Sequence, residues 1–195
     1  MINTKELSKI KEDLEEFDKQ RENIIFLSRI ILKASKSAIY SAHRCNFKEA
    51  KANLDEAQDN IRKAQKLIAR IPDLRGVGAY SSSLEEYSEA VCFYSYVKEN
   101  KLPSFSELSK HDGVSSEEYL LGLCDFTGEM ARLAVILATA RKFKELQKIR
   151  DVVDEIFGFF SQLDMRNSEL RKKSDSIKWN LKKIEEVLYD ISMKK

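Results

Sequence analysis

Apolar residues in this chain recur at spacings of three and four almost throughout, the period of helices that bury one face. Ile24, Leu27, Ile31, Ala34, Ala38 and Ala42 mark such a stripe in one long helix over residues 3–45. Asn46 with Glu49 forms an N-cap pair for a second helix running to about Ala69. Its heptad (Phe47, Ala50, Leu54, Ala57, Ile61, Ala64, Ile68, Ile71) is coiled-coil-like, with alanines that allow a neighbour to come close. Pro72 ends it, and residues 73–83, DLRGVGAYSSS, read as a linker. A third helix is predicted from about Leu84 to Asn100. Ser104 with Glu107 starts a short helix, and Ser115 with Glu118 is a capping box that opens a central one. Residues 143–163 follow, with Leu146, Ile149, Val153, Ile156, Phe160 and Leu163 in heptad register. Phe157, Phe159 and Phe160 widen that face, a surplus expected at a subunit interface. The last helix is predicted from Asn167 to Met193, with Leu170, Ile177, Leu181, Ile184, Leu188 and Ile191 as its seam.

The central helix departs from this pattern. From Leu120 to Ala140 it is apolar on almost every side, which predicts burial. Yet Asp125, Glu129 and Arg132 lie inside it. Asp125 and Glu129, four apart, share one face. In the third helix Glu86 and Glu89 lead directly into the apolar stripe of Ala90, Phe93 and Val97. Ser83, three residues before Glu86, offers a capping box as an ordinary reason for Glu86, but not for Glu89. Glu85 falls off this face and is assigned to solvent.

Composition sharpens the fold class. With 195 residues, 6 Gly, 2 Pro and 34% charged residues, the chain reads as one all-α domain over residues 1–195. A net charge of +2 makes the basic residues informative only where they cluster. One cluster is a row on the first helix: Arg29, Lys33, Lys36, Tyr40 and Arg44. Another opens the last helix: Arg166, Arg171, Lys172, Lys173, Lys178, Lys182 and Lys183, with Trp179 and Tyr189 interleaved. Each is either a solvated basic face or a phosphate track with aromatics on which bases can lie.

Cys45, Cys92 and Cys124 lack metal-binding spacing and read as reduced thiols of a cytoplasmic protein. The opening MINTKELSKIKEDLEEF has no apolar core of a secretory leader. Charges and two glycines inside the central stretch argue for a core helix and against a membrane span. His43 and His111 are far apart, so no histidine-based metal or catalytic set is expected. Gly76 and Gly78 are wrongly flanked for a phosphate loop.

If the two acidic helices pack side by side, Glu86, Glu89, Asp125 and Glu129 converge. Four carboxylates in a core repel one another unless a cation joins them. Oxygen ligands without His or Cys select a hard ion, Mg²⁺ or Mn²⁺. Such an ion activates water and neutralises phosphate, which makes phosphodiester hydrolysis the natural reaction class. Two alternatives to a metal stay open: ion pairs with basic residues, including Arg132 beside Glu129, or a pocket for a cationic ligand. Di-iron bundles use Glu-x-x-His, which is absent.

The same residues carry a resemblance. EEYSEAVCFYSYVK (85–98) and GLCDFTGEMARLAV (122–135) resemble the Trax (translin-associated factor X) side of the translin family. RENIIFLSRIILKASKSAIYSAHR (21–44) resembles the family's first helix, and residues 166–194 resemble the tail of translin itself. The resemblance implies a seven-helix bundle that assembles into a hollow octamer around single-stranded nucleic acid. It also implies a Mg²⁺-dependent endoribonuclease site whose acidic residues match Glu86, Glu89, Asp125 and Glu129. A Trax-like site with a translin-like tail implies a self-sufficient homo-oligomer. Arg21, Arg29, Lys33 and Lys36, with Arg171, Lys172 and Lys173, become candidates for contact with the RNA backbone. Single-stranded RNA is the expected partner, with single-stranded DNA as the alternative substrate and no membrane. The competing function is non-catalytic binding of translin type, and behind it a purely structural scaffold.

Overall fold

In the computed structural model, which describes residues 3–165 and 168–193, the chain forms seven α-helices and one 3₁₀ turn. They are α1 (Thr4–His43), α2 (Phe47–Ile68), α3 (Gly78–Glu99), α4 (Phe105–Asp112), α5 (Ser116–Thr139), α6 (Phe143–Ser161) and α7 (Glu169–Ser192), with the 3₁₀ turn at Pro72–Gly76. No strand occurs among the described residues. Arg166 and Asn167, where the sequence placed a basic residue and a helix start, lie outside them.

Local capping explains most helix starts. Asn46 accepts from the Glu49 N–H at 3.4 Å. Ser104 with Glu107 and Ser115 with Glu118 are complete capping boxes. Glu118 does more than cap. It is buried, and Arg75 Nη2 reaches both its oxygens at 2.9 and 2.7 Å, while Ser81 donates at 2.6 Å. Burial alone would raise its carboxyl, but Arg75, Ser81 and the Ser115 N–H hold it below the usual range. This knot fixes the start of α5 to the 3₁₀ turn and the start of α3.

The expected linker over residues 73–83 is helical from Gly78 onward. Three consecutive serines suggest a turn, because serine competes for backbone hydrogen bonds. Here Ser83 Oγ donates to the Tyr80 carbonyl at 2.7 Å within the helix, and Tyr80, Ser83 and Leu84 are core. Ser83 is therefore no N-cap, and a capping box does not explain Glu86.

α1 packs on α2 and α3, while α5 packs on α3, α6 and α7. Two three-helix groups thus meet along the α3–α5 seam. Gly122 sets how closely. A Cβ there would fall 2.7 Å from Ser88 Cβ, 2.9 Å from the Glu85 carbonyl oxygen and 3.0 Å from the Glu89 nitrogen. Two of those neighbours are backbone and cannot yield. Gly122→Ala, despite its better helix propensity, is expected to destabilise the fold by about 1–3 kcal/mol, read by urea melts. An unchanged midpoint would show the seam to be slack.

The first turns of α1 project from this body. Every residue from Asn3 to Glu16 is exposed, including Leu7, Ile10 and Leu14, and burial begins at Ile24. The aromatic surplus of α6 is smaller than its sequence suggested. Phe160 is core, Phe157 is half-buried against it, and Phe159 alone of the three is exposed. No helix among the described residues is long and apolar enough to cross a membrane.

Candidate active site

The close approach at Gly122 orients the rest of α5 toward α3. Asp125 lies three residues on and Glu129 seven, so both face the stretch of α3 that carries Glu85, Glu86 and Glu89. The structure brings Glu86, Glu89, Asp125 and Glu129 around one cavity of about 330 Å³, completed by Cys124, Gly128, Lys173, Ser176 and Asn180. The last three stand three and four residues apart on α7, so they form one polar wall facing the acidic one.

Each carboxylate except Glu89 has a cation of its own. Lys173 Nζ donates to Asp125 Oδ2 at 2.6 Å and also contacts Glu85 Oε1. Lys36 Nζ lies 3.3 Å from Glu86 Oε1. His43 Nε2 contacts Glu129 Oε2, and Arg132 lies 3.6 Å from the same oxygen. Glu89 is 8% exposed and has no hydrogen bond or ion pair among the described residues. Burial, followed by the charges of Asp125, Glu86 and Glu129, pushes its carboxyl up to about 9. The His43 hydrogen bond holds Glu129 below the ordinary carboxylate range despite partial burial. Burial raises Glu85, against the opposing pull of Lys173.

Three residues differ in role from their reading in the sequence. Glu85, assigned to solvent, is half-buried and ion-paired, because the long side chain of Lys173 reaches it from α7. Lys173, placed in the basic row of the tail, turns into the cavity, whereas Arg171 and Lys172 stay exposed beside Asp175 and Glu169. His43, discounted for want of a nearby partner, has a side chain only 4% exposed at the end of α1, with its ring 4.3 Å from that of Phe93. Its Nδ1 has no partner among the described residues. The carboxylates of α5 are half-buried at a cavity wall, not sealed inside a core helix.

On α1, Arg29, Lys36 and His43 are seven apart and therefore stack along one line, from which Lys36 and His43 reach Glu86 and Glu129 of the cavity wall. Arg29, Lys33 and Lys36 are exposed, as is Arg21, which pairs with Glu22 at 3.1 Å. Tyr40 is exposed and carries Arg44 over its ring at 5.5 Å.

The donor set is chemically suited to a hard divalent ion: four carboxylates around one space, one of them deeply buried without a partner. As they stand, no three His, Cys, Asp or Glu side chains among the described residues are gathered tightly enough to ligate one. Lys173 and His43 hold Asp125 and Glu129 toward separate partners.

Fold and cavity define a class: an all-α bundle whose two helical groups meet at an acidic cavity, with a basic helix face leading into it. Residues 6–195 match the Translin family, and the chain belongs to that family. It is 28% identical over 201 residues to the translin-associated protein X homolog of Schizosaccharomyces pombe, covering 94% of this chain and 86% of that one. An uncharacterised protein of Methanocaldococcus jannaschii is 31% identical over 160 residues, 81% of this chain and 70% of the relative. Translin of Gallus gallus is 40% identical over 78 residues, 40% of this chain; that match spans only 34% of the relative's length. Among solved structures, apo-NeC3PO superposes with a TM-score of 0.85 at 25% identity, covering 98% of each chain. A complex of AfC3PO with duplex RNA superposes at 0.80 with 21% identity over 97% of this chain and 98% of that one, a likeness of fold.

Proposed function

We propose that this chain is a Mg²⁺- or Mn²⁺-dependent endoribonuclease acting on single-stranded RNA inside a hollow homo-oligomer. One observation carries the reading: Glu89, an unpartnered buried acid at the point where three further carboxylates converge. Buried acids without partners are expensive, and they gather where chemistry needs them. Glu86, Glu89, Asp125 and Glu129 would hold the ion, which when bound supplies Lewis acidity toward phosphate and an acidified water.

The remaining roles belong to the chain itself. Glu129, kept ionised and oriented by His43, is the better proton acceptor for the attacking water. Glu89 as it stands keeps its own proton at neutral pH. Arg21, Arg29, Lys33 and Lys36 form the backbone track that ends at the cavity, with Arg171 and Lys172 as outlying contacts. The likeness to a protein solved with duplex RNA supports RNA as the ligand class. Kinship with a translin-associated protein X homolog supports the Trax-like reading of the acidic motifs.

A labelled single-stranded RNA incubated with Mg²⁺ is expected to yield fragments with 3′-hydroxyl ends, and none with a chelator. RNA retarded but uncut in both lanes would favour the binding-only alternative. Absence of salt-dependent binding would leave only a scaffold. Light scattering of the purified protein tests the octamer.

A further inference from the structure

Lys173 has no place in the ligand set, yet it sits among the ligands. Its ammonium bridges α7 to both acidic helices, to Asp125 on α5 at 2.6 Å and to Glu85 on α3. It is 30% exposed, so its head stands at the wall of the cavity and not sealed beneath it. A lysine ammonium is protonated at neutral pH, and two carboxylates lie against this one. A full positive charge therefore already occupies one oxygen of a proposed metal ligand.

Such a charge opposes a divalent ion twice. It takes up lone pairs of Asp125 that the ion needs, and it repels the ion at short range in a medium less polarisable than water. Lysine is suited to yielding. Its head is a point charge on a flexible four-carbon stem and makes no planar fork to a single carboxylate. Asn180, further along the same wall, does not compete in this way, because its amide donates to Thr127 Oγ1 at 2.8 Å. Ser176 donates back to the Lys173 carbonyl at 2.6 Å. Lys173 is thus the cationic group on the α7 wall.

We propose that Lys173 is the resident counter-ion of this cavity, and that a divalent ion binds by displacing its ammonium from Asp125. The proposal rests on the metal-site reading above and adds to it a competitor built into the chain.

The test is Mn²⁺ binding to the full-length, assembled protein without RNA, followed by the electron paramagnetic resonance of free Mn²⁺. Lys173→Met removes the competing charge and is expected to bind Mn²⁺ about tenfold more tightly than wild type, the factor set by one charge-assisted pair of ordinary strength. Lys173→Arg keeps the charge and is expected to remain near wild type or weaker. In the unaltered protein, acylation of Lys173 by an amine reagent, read by mass spectrometry, is expected to rise when Mn²⁺ is added. Equal or weaker Mn²⁺ binding by Lys173→Met, or equal tightening by Lys173→Arg, overturns the displacement while leaving the metal site intact. Should Lys173→Met not fold, unchanged labelling of wild-type Lys173 at saturating Mn²⁺ overturns it as well. Mn²⁺ binding by none of the three proteins would sink the displacement and the metal site together.

Discussion

Asp125→Asn is expected to lower cleavage of single-stranded RNA by roughly 10³-fold or more, the scale of several kcal/mol of lost transition-state stabilisation. Glu129→Gln should do the same. Both substitutions keep the size and shape of the side chain, so the α3–α5 seam set by Gly122 stays as it is. Asparagine removes the charge that would ligate an ion and leaves Glu85 as the partner of Lys173. Glutamine at 129 still offers His43 an acceptor oxygen but can no longer take a proton from water. RNA affinity is expected to change little, and its salt dependence not at all, because the phosphate contacts are assigned to the basic row of α1. Single-turnover cleavage beside a filter-binding isotherm separates the two effects. Wild-type activity in either variant would end the assignment of the site.

Glu89→Gln is expected to move stability and activity in opposite directions. The sign depends on where the proton sits. In the unfolded chain Glu89 titrates near 4.5, whereas in the fold it is pushed up to about 9. Below the lower value both states hold the proton, and the group carries no penalty. Between the two, the unfolded chain sheds its proton while the folded chain must keep it, so stability falls steadily as pH rises. Beyond the upper value the loss is complete. Glutamine does not titrate, so at pH 7 the variant should be more stable than wild type by up to about 3 kcal/mol, and by nothing near pH 4.5. Urea melts at both pH values give the comparison. A constant difference across that range would show that Glu89 is not a strained acid. Cleavage by the stabilised variant should nonetheless be lost, the mark of a residue kept for chemistry at the expense of the fold.

Much of this site is readable as helical periodicity. The spacing of Glu86, Glu89, Asp125 and Glu129 places two pairs on two helix faces, and the structure puts all four around one cavity. The caps at Asn46, Ser104 and Ser115 are local and equally plain. Contact across the bundle is what stays hidden. His43 meets Glu129 across 86 residues of sequence, and Lys173 meets Glu85 across 88. No spacing rule within a helix reaches that far. Periodicity also misplaces Glu85, since it describes one helix against one neighbour, and α3 has a different helix on each flank. The serines before Leu84 hide the opening turns of α3, because a hydroxyl that bonds its own helix cannot be told from one that bonds a turn.

The projecting start of α1 leaves the molecule unevenly held along its length. The 40 residues of that helix form one rod of about 60 Å. Helical turns with little tertiary burial are marginal in water, so the leading turns around Leu7 and Ile10 are expected to open more readily than those past Ile24, which belong to the core. The gradient ends at His43, whose imidazole rests on Glu129. The rod is least held at its leading turns and best held where its imidazole meets Glu129.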